Sequence, residues 1–140
     1  MVIAEEDAFF TLAYCHIGTT PDGSSSFHLP RAIGIKRALE MTLLGDRYSA
    51  RQMSDMGLVN FVVPSEDLDE EADKLVQRLA NGPTRVHGMA KKLMYRSLEN
   101  EFESQLQFEG ECFSDCAGRE DFREGVAAFV EKRKANFTGK

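Results

Sequence analysis

The chain has no tryptophan, only three cysteines and only four prolines in 140 residues. It also lacks any apolar run approaching the ~20 residues that cross a bilayer. Its first residues, MVIAEEDAFF, carry neither the basic stretch nor the apolar core of a secretion signal. Positive charge is in deficit, with 17 Lys and Arg against 23 Asp and Glu, a net charge of -6. That balance argues against nucleic acid as a bulk partner, because phosphate binding wants a basic face. It leaves room for one anionic ligand held by a local cluster of Lys and Arg. So few cysteines, without metal-ligand spacing, point to a reducing compartment, with the cytoplasm as default, and to no metal site. Cys112 and Cys116 are four apart, share one helix face and read as packing. A lone histidine such as His28 is more often a hydrogen-bonding residue than an acid or ligand.

What is present is ordinary globular composition, 42% hydrophobic and 29% charged, at a length that suits one domain with a modest core. Val2 to Ala4 and Ala8 to Tyr14 read as short strands with nothing evident to pair with. Pro21-Asp22-Gly23-Ser24 is a turn, and Asp22 or a serine can cap the helix that follows. Pro30 should end or kink that helix. Ile35 to Leu44 reads as a helix closed by Gly45, and Ser49 opens another that stops at Gly57. Leu58 to Val63 is the strongest strand pattern, ended by Pro64.

Beyond Ser65 the spacing turns helical throughout. Helices are expected from Asp67 to Ala80, Thr84 to Leu98, about Glu101 to Ala117, and Glu120 to Glu131. Asn81-Gly82-Pro83 breaks the series. The acid run from Glu66 to Asp73 fits a solvated helix start. The fold class is therefore mixed α/β. Residues 1–64 form a segment of strands, loop and helices, and 65–140 form a helical region.

The order of segments carries a resemblance. IGTTPDGSSSFHLPRAIG, ALEMTLLGDRYSARQMSDMGLVNFVVP, GPTRVHGMAKKLM and DFREGVAAFVEKRKANFTG together resemble the C-terminal half of the crotonase superfamily, the enoyl-CoA hydratase/isomerase family. The resemblance covers nearly the whole chain. It implies the C-terminal part of a crotonase-like spiral fold, followed by an all-helical region through which members form trimers, often paired into hexamers. It implies acyl-CoA thioester substrates, with coenzyme A part of the substrate and no separate cofactor. It further implies chemistry through an enolate held by two backbone N–H groups, and it puts both of those donors upstream of Val2.

Four residues fall at positions to which the resemblance gives meaning. The hydratases' second acid falls at Tyr14, and a phenol with a pKa near ~10 does not replace a carboxylate base at neutral pH. In relatives that move double bonds, an acid faces the acyl chain at the position of Asp22, and a related dehalogenase uses an Asp there as nucleophile. Asp22 is thus the catalytic candidate, against the plainer reading of a turn and cap residue. Phe129 and Lys132 match the residues that contact the CoA nucleotide, an aromatic for adenine and a cation for phosphate. Their plainer readings are a core aromatic and one charge of the Lys132-Arg133-Lys134 run. Arg31 reads as a brace for the loop. The implied function is enoyl-CoA isomerase- or hydratase-type chemistry with Asp22 as proton shuttle, isomerase favoured. The alternative is an inactive assembly module or a CoA-ester binder.

Overall fold

The first apolar triplet finds its partner far along the sequence. Ile3–Glu5 (β1) pairs in parallel with Phe61–Val63 (β2), Ile3 opposite Phe61 and Glu5 opposite Val63. Phe9–Phe10 (β3) pairs antiparallel with Tyr48–Ser49 (β4). The two early strands are therefore not left unpaired, as the sequence suggested. They are shorter than expected, however. Only Phe9 and Phe10 of the Ala8 to Tyr14 stretch are extended, and Ala13–Ile17 turns into a 3-10 helix. Leu58 to Val63 is extended only over its last three residues, because Leu58 and Val59 donate their N–H groups to the Met53 carbonyl and close the preceding turn.

The computed structural model describes residues 1–140 and falls into two compact units, 1–73 and 74–140. In the first unit, Ser25–Ile33 (α1) runs three residues past Pro30. Of the end or kink expected at Pro30, the end does not occur. The structure tolerates the lost donor in a helix whose Arg31 Nη1 donates to the Phe27 carbonyl at 2.9 Å, and whose Gly34 N–H closes on the Pro30 carbonyl at 3.0 Å. Ile35–Leu44 (α2) follows, closed by Gly45 in the left-handed region at φ 67°. Ala50–Asp55 (α3) begins with a capping box. The Ser49 hydroxyl accepts from Gln52 N at 3.2 Å, and the Gln52 side chain accepts from Ser49 N at 2.8 Å. Met53 and Ala50 are fully buried, with Met41, Ile33, Leu29 and Tyr48 around them.

Leu68–Ala80 (α4) begins with Asp69, Glu70 and Glu71 in its first turn, where carboxylates complement the helix dipole, and the boundary between units falls within it. The second unit holds Thr84–Arg96 (α5), Phe102–Ala117 (α6) and Glu120–Glu131 (α7). Asp115 near the end of α6 joins Arg85 at 3.0 Å and Arg119 at 2.7 Å. Those two guanidinium groups hold the Asp115 carboxyl below its ordinary range.

Candidate functional site

The loop that carries Asp22 is built from the segment before it. Gly45 at the end of α2 has no room for a side chain, since a Cβ there would sit 2.6 Å from Cys15 Sγ and from His16 Nε2. Its carbonyl accepts from the Thr11 hydroxyl at 3.0 Å and lies 3.2 Å from His16 Nε2, which fixes that nitrogen as the protonated one. These contacts hold the 3-10 turn on α2. The turn ends at Gly18, φ 71°, where Thr19 N–H returns to the Tyr14 carbonyl at 3.1 Å. The chain then reverses through Pro21 to Gly23 and enters α1.

Asp22 does not cap α1 with its side chain. The N-cap position is Ser24, in the left-handed region at φ 65°, and no side-chain oxygen caps the helix. Asp22 contributes its main-chain carbonyl, which accepts from Ser25 N at 3.0 Å and from the Ser25 hydroxyl at 2.7 Å. The expected cap is thus replaced by a backbone turn, and the carboxylate is released for another partner. That partner is Tyr14, whose phenol donates to Asp22 Oδ1 at 2.6 Å. The bond raises the Tyr14 phenol above its ordinary value, with slight burial and the negative charge of Asp22 adding to it. Asp22 is exposed and Tyr14 half-buried.

Pro21 and Ser25, on either side of Asp22 in sequence, line a hollow of about 210 Å³ with Leu29, Ile35, Ala38 and Leu39. Ser25 also lines a cleft of about 410 Å³ with Phe10, Leu12, His28 and Met41. Asp22 lines neither of these two. Arg31 lies 3.7 Å over the Phe27 ring and bonds within its own helix, which is a bracing role.

In the second unit, Phe129 is 86% exposed. The plainer reading of a core aromatic does not hold. Phe129 borders an apolar hollow of about 340 Å³ with Val86, Phe122, Val126 and Phe137. Lys132 is exposed and ends α7 in the left-handed region at φ 56°. The structure brings Phe129 and Lys132 to the same end of α7, and Tyr14 and Asp22 to one loop.

Sequence reasoning missed what the acids of α7 do. The buried Asp121 accepts from Thr138 N at 2.7 Å and Gly139 N at 2.9 Å. Glu124 accepts from Arg133 at 2.6 and 2.8 Å and from Asn136 N at 2.7 Å. The Phe137 ring packs over Gly125, where even a Cβ would meet it only at an ordinary contact distance of 3.5 Å. Much of DFREGVAAFVEKRKANFTG therefore serves to fold residues 133–139 back along α7. The signal was present in two acids three apart, with an arginine nine residues beyond the second. It was not read as a clamp because Asp121 sits in the first turn of a helix, where carboxylates are common, and Glu124 lies within the same helix.

Comparison with known proteins identifies the family. The family model for enoyl-CoA hydratase/isomerase matches residues 1–140. The chain belongs to the enoyl-CoA hydratase/isomerase family. It is 38% identical over 141 residues to the 1,2-epoxyphenylacetyl-CoA isomerase of Escherichia coli, covering 100% of this chain and 53% of that protein. It is 33% identical over 138 residues to the trans-2-decenoyl-[acyl-carrier-protein] isomerase of Streptococcus mutans, covering 99% of this chain and 52% of that protein. A crystal structure of an enoyl-CoA hydratase subunit from Geobacillus kaustophilus superposes with a TM-score of 0.95 at 36% identity, over 100% of this chain and 55% of that one. The chain thus spans about half the length of the relatives it matches. Its mixed, helix-dominated α/β architecture is that of the crotonase fold. No helix is long and apolar enough to cross a membrane.

Proposed function

We propose that this member of the enoyl-CoA hydratase/isomerase family supplies the proton shuttle and part of the nucleotide contact of an acyl-CoA double-bond isomerase. The observation that carries the reading is the Tyr14–Asp22 hydrogen bond of 2.6 Å. It leaves one carboxylate in the loop and a neutral phenol where the family resemblance puts the hydratases' acid. One carboxylate suffices for isomerisation. Asp22 takes a proton from the carbon at one end of an allylic system, and the C–H electron pair delocalises onto the thioester oxygen as a dienolate. Asp22 then returns the proton to the other end, with no net change in atoms or electrons. Water addition asks for a second acid or base, and Tyr14 is a poor one. A positioned acid–base group contributes roughly 10²–10⁴-fold. The substrate's coenzyme A would pack its adenine on exposed Phe129 and set its phosphates near Lys132; no other cofactor is called for. The cysteine usage favours the cytoplasm.

The test is Asp22→Asn in the longest natural polypeptide that carries this chain, with 3-enoyl-CoA and 2-enoyl-CoA interconversion followed by chromatography. The expected outcome is a loss of at least ~10²-fold in kcat. Retained isomerisation would defeat the assignment. A second reading is an assembly module or CoA-ester binder without turnover, favoured by the exposed apolar residues of 74–140. Calorimetric binding of an enoyl-CoA without conversion would select it.

A further inference from the structure

We infer that Tyr14 is a positioning residue for the shuttle: its hydroxyl holds Oδ1 of Asp22, so that the other carboxylate oxygen, Oδ2, is the atom that moves the proton. The inference rests on the isomerase reading above. Three observations support it independently of that reading's chemistry. First, the Tyr14 Oη–Asp22 Oδ1 distance of 2.6 Å is that of a charge-assisted O–H···O⁻ bond, about twice as strong as a neutral one. Second, both ends of the pair are anchored by separate means. Tyr14 sits in the 3-10 turn, which is tied to Gly45 through Thr11 and His16, and Asp22 is tied through its carbonyl to Ser25. A carboxylate on an exposed loop has free rotation about its last bond, and a single short bond to one oxygen removes it. Third, the phenol can only donate to this acceptor, so it does not compete for the proton that the reaction moves.

The pairing also bears on direction. When Asp22 has collected a proton on Oδ2, Oδ1 keeps its hydrogen bond and the acid does not turn away. The same oxygen therefore returns the proton to the same face of the substrate. An unpaired acid would exchange with water and scatter the proton. Tyr14 thereby favours intramolecular transfer over wash-out.

The experiment compares Tyr14→Phe with wild type and Asp22→Asn, again in the longest natural polypeptide that carries this chain. Isomerisation is run in deuterated water with a 3-enoyl-CoA. Loss of one charge-assisted bond should lower kcat on the order of 10-fold with KM little changed, and should raise deuterium incorporation per turnover. A merely structural role for Tyr14 would leave the incorporation ratio where it was. Carbon-13 NMR of labelled tyrosine reports the bond itself in this chain, without turnover. The Tyr14 phenol should titrate above the ordinary tyrosine range and fall back in Asp22→Asn. The outcomes separate the two ideas. Full activity in Asp22→Asn overturns the isomerase reading. An inactive Asp22→Asn together with a Tyr14→Phe of unchanged kcat and unchanged incorporation overturns this inference alone. A Tyr14 titration indifferent to Asp22→Asn overturns it as well.

Discussion

Asp22 and Tyr14 are eight residues apart and share no helix or strand, so no periodicity joins them. Their contact depends on the turn between them, which ends the 3-10 helix at Gly18 in the left-handed region and returns Thr19 N–H to the Tyr14 carbonyl. The sequence offered each residue separately, Asp22 as a turn acid and Tyr14 as an acid's replacement. What it could not offer was the turn geometry that joins them. Phe129 shows the converse. Its place in the α7 periodicity suited a core residue, yet it stands 86% exposed, because periodicity identifies an apolar face and not what covers that face. Burial is more certain at Met53, the largest side chain that is fully enclosed. Replacing it with Ala removes transfer energy and leaves a cavity in the only extensive core. Met53→Ala should cost about 2–5 kcal/mol, read from a lower urea midpoint at unchanged slope. A loss under about 1 kcal/mol would mean that the site collapses or that Met53 is not enclosed.

Helix ends were the most legible elements, because each is signalled by a single residue with a local cause. Gly45 and Gly57 stop α2 and α3 at positive φ, and Ser49 caps α3 as its hydroxyl and Gln52 predict. Strand ends were the least legible. Leu58 and Val59 are good strand residues, but their N–H groups are drawn to Met53, a competition no propensity reports. The capping box can be tested alone. Ser49→Ala should lower stability by about 1 kcal/mol, seen as a fall in Tm, and Ser49→Asp should restore most of it. An unchanged Tm in Ser49→Ala would mean that the bond to Gln52 N contributes nothing. Residues 133–139, folded back on α7, offer a pH test. Arg133 and the Asn136 amide hold the Glu124 carboxyl down to about 2 from an ordinary 4.5. A depressed folded value stabilises the bound form above the unfolded value. That stability should fade as pH falls from about 4.5 towards about 2. Amide exchange at Asn136 should therefore quicken, after correction for intrinsic rates, across that window and not above it. Glu124→Gln should exchange fast at every pH. A variant as protected as wild type at neutral pH would show that the carboxylate does not hold the segment.

Across the whole molecule, burial is uneven. Residues 1–73 hold nine of the eleven buried hydrophobic residues, and 74–140 hold only Cys112 and Ala128. In the latter, Phe102, Phe113, Phe129 and Val130 are each more than two-thirds exposed. Helices with apolar faces do not remain in water without cost, and so large a display is what an interface or an aggregation-prone surface would present. The occupant expected from the family resemblance, and proposed for test, is a second and third copy of the same chain. The expected outcome is self-association: light scattering across a hundredfold concentration range should give a mass above that of one chain, rising towards a trimer or hexamer. A mass fixed at one chain throughout would defeat the expectation. Phe113→Asp with Val130→Asp sharpens the test. Both side chains already face water in the isolated chain, so the double substitution should cost little stability. If association is driven by that face, the mass should drop to a single chain while the helical circular dichroism and the Tm of the monomer persist. If the mass is unchanged, the copies meet elsewhere and the exposed face serves another occupant.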